Sequence, residues 1–132
     1  MKLILLSGPS RCGKTTTINA VFHKLCGGDK HSRNVLFYKP INDYIYKDFE
    51  AIIKYNNRKV AFFSMGDCKG ECINAIIKFA GADVLIMALN NHFVPLLTKQ
   101  NENYYKDFPA HVLIKSKKFF DSKWVQTIID AI

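Results

Sequence analysis

An eight-residue stretch near the N-terminus constrains the fold of this chain more than any other part of the sequence. Residues 8–15 read GPSRCGKT and fit the pattern G-x-x-x-x-G-K-[ST] at every fixed position. The apolar run of residues 3–6 precedes this motif and a helical pattern follows it, which is the context that the motif requires. The sequence therefore predicts a buried strand, a glycine-containing loop and a helix in direct succession.

The chemistry of that loop favours the binding of phosphate groups. Backbone N–H groups between two glycines form a concave nest for phosphate oxygens, and the N-terminus of the following helix adds the positive end of its dipole. Lys14 can reach the β- and γ-phosphates of a nucleotide, the Thr15 hydroxyl can ligate Mg²⁺, and Thr16 is one residue further along. Arg11 either touches phosphate or points to solvent. The residues expected to bind the nucleotide are Gly8, Arg11, Cys12, Gly13, Lys14, Thr15 and Thr16.

The length of 132 residues predicts one domain, residues 1–132, with a core of moderate size. No apolar stretch approaches the roughly 18 residues that a membrane span requires. The apolar run of residues 3–6 leads directly into the glycine loop, so it is interpreted as a strand and not as a signal peptide. We therefore expect a cytoplasmic protein.

The net charge of +8 arises from 19 lysine and arginine residues against 11 acidic residues. A basic surface attracts polyanions, including nucleotides and nucleic acid. The lysines are scattered, however, and the densest cluster is residues 115–118. This distribution favours an ordinary solvated surface over a dedicated nucleic-acid interface.

Four cysteines are present, Cys12, Cys26, Cys68 and Cys72, without the C-x-x-C spacing of a zinc site. Free thiols of a reducing compartment are the favoured interpretation. The alternative is a redox-sensitive or metal-binding group formed by Cys12, Cys68 and Cys72. Cys12 lies beside Lys14 and a predicted helix N-terminus, where a thiol can become more reactive.

Short apolar runs alternate with helical patterns along the chain, which is typical of βαβ units and a parallel sheet. We expect five strands, a central first strand and helices on both faces of the sheet, that is, a three-layer doubly wound α/β sandwich. The predicted strands are residues 2–7, 34–38, 59–64, 83–88 and 111–115, and the predicted helices are residues 14–25, 48–55, 70–80, 98–105 and 121–131.

With this order of strand, loop and helix, the chain resembles the P-loop NTPases, and within them the branch of small-molecule kinases and GTPases. Residues 60–67, VAFFSMGD, are similar to a Walker B element, and residues 67–70 fit the short pattern D-x-x-G. The resemblance implies a five-stranded parallel P-loop sheet whose acidic-motif strand lies beside the first strand. It also implies Asp67 near Mg²⁺ and the Gly70 N–H at the γ-phosphate. The alternative for Asp67 is a cap on the third helix.

Two departures from that family bear on the substrate. Where GTPases carry N-K-x-D, residues 89–93 read LNNHF, so guanine specificity is unsupported and ATP is the default nucleotide. The segment where a kinase lid belongs contains no arginine, although Lys99 and Lys106 are candidates to replace it. A lysine supplies a point charge and not the bidentate fork of arginine.

The sequence thus favours a small protein that binds ATP, or another NTP, with Mg²⁺ and hydrolyses it as an NTPase or switch. Lys14 and Asp67 are the predicted catalytic residues, and Thr15 and Asp67 the predicted metal ligands. A nucleoside or nucleotide kinase with a small phosphoryl acceptor is the main alternative. A non-catalytic nucleotide-binding module and a nucleic-acid-binding protein are the others, and a partner protein remains open.

Polar and aromatic residues after the predicted strands are further candidates, because ligands of open α/β sheets bind beyond the carboxyl ends of the strands. Asp43 is a candidate acceptor for a proton or a second substrate, and Tyr44 and Tyr46 are candidates to stack on a base. Residues 90–92 are candidates to contact substrate or orient water. Core-edge aromatics and an exposed loop histidine are the alternative interpretations.

Overall fold

A computed structural model describes residues 1–10, 12–27, 29, 31–41, 48–94 and 122–132, together with the backbone of residues 110–114. The strands are β1 (Lys2–Gly8), β2 (Val35–Pro40), β3 (Phe49–Tyr55), β4 (Arg58–Phe63), β5 (Val84–Asn90) and β6 (Ala110–Ile114). The α-helices of these ranges are α1 (Lys14–Cys26), α2 (Lys69–Lys78) and α3 (Ser122–Ala131), and a 3₁₀ turn (Asn91–Phe93) follows β5.

The strands form one mixed sheet in the order β2-β3-β4-β5-β1-β6. Strand β1 pairs in parallel with β5 and with β6, and β4 pairs in parallel with β5. Strand β3 is antiparallel to both of its neighbours, β2 and β4. The carboxyl ends of β1, β4 and β5 therefore meet at one edge of the sheet, and β3 begins at that same edge.

The predicted five-stranded parallel sheet of the P-loop NTPase fold is wrong. The sheet is mixed, and residues 49–55 form a strand where the sequence predicted a helix over residues 48–55. The first strand is not central, since only β6 lies beyond it. The strand that precedes Asp67 also does not lie beside β1, because β5 is inserted between β1 and β4.

A two-residue turn explains why residues 49–55 form a strand. Tyr55 pairs with Arg58 across a hairpin whose loop is Asn56 and Asn57, and both asparagines have positive φ, 50° and 60°. This conformation matches the right-handed twist of the two strands, and asparagine tolerates it better than most residues. The hairpin thus outweighs the helical tendency of Glu50, Ala51 and Lys54, which local propensity alone favours in a helix.

Helices cover both faces of the sheet in the described part of the chain. On one face α1 and α3 are in contact, and their apolar side chains join a core with Ile4, Leu6, Phe62 and Ile86. On the other face α2 covers Leu5, Ala61, Leu85 and Met87 through residues such as Cys72 and Ile76. Strand β5 is almost wholly buried, as its run of apolar residues predicts.

The described ranges contain no helix that is long and apolar enough to span a membrane. The predicted helix over residues 98–105 and the lysines of residues 115–118 lie outside the described residues. The same is true of Arg11, Asp43, Tyr44, Tyr46, Lys99 and Lys106.

Candidate functional site

The glycine loop connects the buried end of β1 to the first turn of α1. Gly13 is the N-cap of α1, with φ 88° and ψ 17°, a left-handed conformation that glycine adopts without strain. Gly13 has no side chain to cap the helix, and the first turn contains no acidic residue. The positive end of the helix dipole therefore faces the loop without a compensating carboxylate of its own turn.

The side chain of Lys14 folds back over this loop. Its Nζ donates hydrogen bonds to the carbonyl oxygens of Gly8 at 3.1 Å and Pro9 at 2.7 Å. Lys14 is buried, with 5% of its surface exposed, and its Nζ lies 3.9 Å from Cys12 Sγ. The ammonium group is thus fixed at the mouth of the loop, where an anion could exchange with the two carbonyls.

A group of polar side chains lies beside Lys14, and we call Ser10, Asp67 and Asn90 the exposed cluster. Asp67 Oδ1 lies 3.8 Å from Lys14 Nζ. The same oxygen accepts hydrogen bonds from Ser10 Oγ at 3.2 Å and Asn90 Nδ2 at 3.3 Å. Asn90 Oδ1 in turn accepts from the backbone N–H of His92, which fixes the amide with its NH₂ group toward Asp67.

Gly66 brings Asp67 to this position across the end of β5. The Gly66 carbonyl accepts a hydrogen bond from the Asn90 backbone N–H at 2.8 Å. A Cβ atom at residue 66 would lie 2.7 Å from backbone atoms of Ala88 and Leu89, closer than a real contact permits. Only glycine therefore lets the chain after β4 pass this close to β5 and present Asp67 to Lys14.

A second carboxylate lies beside Thr15, and we call Thr15, Asp48 and Ser64 the buried cluster. Thr15 Oγ1 donates to Asp48 Oδ1 at 2.9 Å, and a longer contact of 3.4 Å joins it to the Ser64 carbonyl. Ser64 Oγ also donates to Asp48 Oδ1, at 3.0 Å. Asp48 is 8% exposed and Ser64 is 1% exposed, so the hydroxyls satisfy a largely dehydrated carboxylate.

Phe49, the residue after Asp48, anchors the buried cluster. Its backbone N–H donates to Ser64 Oγ at 2.9 Å, and its carbonyl accepts from the Ser64 N–H at 3.1 Å. Its ring packs against Phe22 of α1 and stacks on Phe62 of β4, with centroids 5.2 Å and 6.1 Å apart. Because Phe22 belongs to the helix that begins with Lys14 and Thr15, this packing fixes Asp48 relative to that helix.

The sequence predicts Asp67 both as a catalytic residue and, together with Thr15, as a metal ligand. Asp67 lies beside Lys14, whereas the carboxylate that contacts Thr15 belongs to Asp48. Thr16 is exposed on the first turn of α1, and Gly70 lies in the first turn of α2, where an added Cβ atom would meet nothing within 4 Å. The predicted loop residues Gly8, Cys12, Gly13, Lys14 and Thr15 are brought together at the end of β1.

Sequence reasoning missed Asp48 and Ser64. The sequence predicts Asp48 as the first residue of a helix and Ser64 as the last residue of a strand. The signal that could have found them is the Asn56–Asn57 pair, since it predicts a hairpin. A hairpin returns residue 48 to the end of β4, beside Ser64.

The four cysteines are unpaired; Cys68 is exposed and the other three are buried. Burial, and then the negative charges of Cys68, Asp67 and Glu71, raise the pKa of the Cys72 thiol from 9.0 to about 12, while Lys14 lowers it. Among the described residues, no group of three or more His, Cys, Asp or Glu side chains is arranged to hold a metal ion. A cation at this edge would therefore need oxygen ligands from a hydroxyl, a phosphate or water as well.

Comparisons with protein-family models, with curated proteins and with solved structures found no match. The function is accordingly inferred from the geometry of the two clusters.

Proposed function

We propose that this protein binds a nucleoside triphosphate, by default ATP, as its magnesium complex at the loop between β1 and α1, and hydrolyses the γ-phosphate. The observation that carries this proposal is the position of Lys14. Its buried ammonium group donates to two carbonyls of the glycine loop, directly before α1, and lies 3.8 Å from Asp67 of the exposed cluster.

The loop supplies binding energy for phosphate from three sources. Backbone N–H groups and the dipole of α1 attract the anion, and Lys14 contributes a charge-assisted hydrogen bond. On binding, the Lys14 ammonium would exchange the carbonyls of Gly8 and Pro9 for phosphate oxygens. Because its low exposure limits competition from water, its charge acts more strongly than that of a surface lysine.

The exposed cluster supports hydrolysis over simple storage of the nucleotide. Its three side chains are linked by hydrogen bonds of 3.2–3.3 Å among Ser10, Asp67 and Asn90. Asp67 Oδ1 also lies 3.8 Å from Lys14 Nζ. Such a set can orient a water molecule toward a phosphate held by Lys14. Phosphoryl transfer depends mainly on positioning and on neutralisation of charge, so slow turnover requires no stronger base.

The chemistry of the site also fits Mg²⁺, which prefers oxygen ligands and keeps several of its waters. Thr15 would hold the ion with its hydroxyl, together with oxygens of the nucleotide. When bound, the ion would neutralise phosphate charge. The unpaired thiols support a reducing compartment, and we therefore propose a cytoplasmic location.

A cavity on the face of the sheet that α2 covers is the observation behind a second candidate, a kinase. It measures about 280 Å³ and is lined by Lys39, Glu50, Phe63, Glu71 and Lys78, among others. Two of its charged side chains, Glu50 and Lys78, form an ion pair with each other, and none of the described residues that line it belongs to either cluster. Its charged lining could receive a small phosphoryl acceptor.

The deciding experiment measures ATP binding and reaction products for the wild type, for Lys14→Ala and for Lys59→Ala. Lys59 is an exposed lysine at the opposite edge of the sheet, so its variant controls for the loss of one positive charge. We expect Lys14→Ala to weaken ATP binding about 100-fold, the order expected for a charge-assisted hydrogen bond, and Lys59→Ala to bind as the wild type does.

Release of phosphate without any acceptor would support the NTPase. A phosphorylated product from a panel of nucleosides and monophosphates would support the kinase instead. Equal ATP binding by the wild type and Lys14→Ala would overturn both proposals.

A further inference from the structure

We propose that Asp48, and not Asp67, is the protein carboxylate that organises Mg²⁺ at the nucleotide site, by orienting the Thr15 hydroxyl toward the ion. This inference rests on the proposed binding of a nucleotide at the same loop. It assigns the carboxylate that acts on the metal to the residue directly before the antiparallel strand β3, and not to the chain that follows β4.

The hydrogen bond between Thr15 and Asp48 carries the inference. A hydroxyl has one proton, and Thr15 donates it to Asp48 Oδ1 at 2.9 Å, a better contact than the 3.4 Å to the Ser64 carbonyl. With that proton directed at the carboxylate, the lone pairs of Thr15 Oγ1 point away from Asp48. A metal-ligating group is commonly fixed in this way by a carboxylate behind it.

The surroundings of Asp48 hold it in this role. Its Oδ1 also accepts from Ser64 Oγ at 3.0 Å, and Phe49 fixes the backbone beside it through hydrogen bonds to Ser64. At 8% exposure, the negative charge of Asp48 is weakly screened by solvent. A cation at Thr15 would therefore be attracted by a carboxylate that is already in position.

Asp67 is less suited to the same role. Its Oδ1 lies 3.8 Å from the Lys14 ammonium and accepts from Ser10 and Asn90. A cation placed at this oxygen would be repelled by Lys14 at close range. More than half of the Asp67 side chain is exposed, which further weakens its attraction for an ion.

The test is a titration with a slowly hydrolysed ATP analogue, once with EDTA and once with Mg²⁺, by calorimetry. The ratio of the two dissociation constants gives the magnesium enhancement of each variant. We expect Asp48→Asn to reduce this enhancement at least about tenfold, the usual effect of removing a carboxylate behind a metal ligand. Binding in EDTA should stay close to that of the wild type, because Asn keeps an oxygen acceptor for the two hydroxyls.

Asp67→Asn tests the competing assignment of the metal-side carboxylate, since it makes the same chemical change at an exposed carboxylate. Its magnesium enhancement is expected to remain within about twofold of the wild type, as is usual for exposed charges. Loss of the enhancement in Asp67→Asn with retention in Asp48→Asn would overturn the inference and leave the proposed function standing. Failure of the wild type to bind the analogue under either condition would overturn the proposed function itself.

Ser64→Ala decides the question if Asp48→Asn does not fold. It keeps the carboxylate and removes one of its two O–H donors, so we expect the magnesium enhancement to fall about fivefold, which corresponds to one hydrogen bond. An unchanged enhancement in a folded Ser64→Ala protein would overturn the inference.

Discussion

The buried cluster and the exposed cluster have nearly the same chemistry and differ in their access to water. Each contains one aspartate whose Oδ1 accepts hydrogen bonds from two side chains, Thr15 and Ser64 at Asp48, and Ser10 and Asn90 at Asp67. Asp48 is 8% exposed, whereas the Asp67 side chain is 55% exposed. Burial therefore makes the first carboxylate part of the folded structure and leaves the second available to solvent and ligand.

The same contrast in access to water holds for two thiols, since Cys72 of α2 is buried and Cys68, the N-cap of that helix, is exposed. It leads to the largest effect that we expect, a difference in thiol reactivity. Raising the pKa of Cys72 from 9.0 to about 12 lowers its thiolate fraction at pH 8 about 1,000-fold, and burial restricts access as well. Iodoacetamide at pH 8 is therefore expected to label the exposed Cys68 in the native protein and to leave Cys72 unlabelled, as read by mass spectrometry.

Labelling in urea provides the control, since both thiols should then react at similar rates. Comparable labelling rates for the two thiols in the native protein would show that Cys72 is not buried between α2 and the sheet. The raised pKa also implies a direction with pH: its contribution to stability is complete below pH 9.0 and is lost as pH rises toward about 12.

The two aspartates should differ in their contribution to stability. Asp48→Ala leaves the buried hydroxyl of Ser64 and the half-buried hydroxyl of Thr15 without their acceptor, which is expected to cost about 3 kcal/mol of unfolding free energy. Asp67→Ala is expected to cost about 0.5 kcal/mol or less, as for other exposed charges. Urea denaturation without nucleotide measures both, and equal losses would contradict the contrast between the clusters.

Alanine substitutions at two glycines near Asp67 are expected to change the free energy of unfolding by smaller amounts. Gly66→Ala puts a Cβ atom against the backbone of β5 and is expected to cost about 2 kcal/mol. Gly70→Ala meets open space in the first turn of α2 and is expected to be neutral or stabilising by up to about 1 kcal/mol. Thermal unfolding distinguishes them; a harmless Gly66→Ala would mean that the chain after β4 does not approach β5 as described.

Much of the parallel half of the sheet could be predicted from the sequence. The motif and its flanking periodicity gave β1 and α1 to within one residue at each end, and β5 followed from its apolar run. These elements are predictable because local signals, the glycine loop and a fully buried strand, agree with their final environment.

The antiparallel half and the strand order could not be predicted in the same way. Residues 49–55 follow an aspartate that could cap a helix and contain good helix formers. Only pairing with β4 across Asn56 and Asn57 makes them a strand. The insertion of β5 between β1 and β4 depends on contacts between distant parts of the chain, which periodicity does not report. Asp48 was missed for the same reason: its partner Thr15 is distant in sequence and is reached only through the hairpin.

The insertion of β5 also sets a requirement on chain length. Strands β1 and β4 lie two interstrand spacings apart, about 10 Å, and the chain leaves β4 through Ser64, Met65 and Gly66 before it presents Asp67 to Lys14. Three extended residues cover about that distance. Deleting one residue from this connection would separate the acid from the lysine even if every side chain of the site were retained.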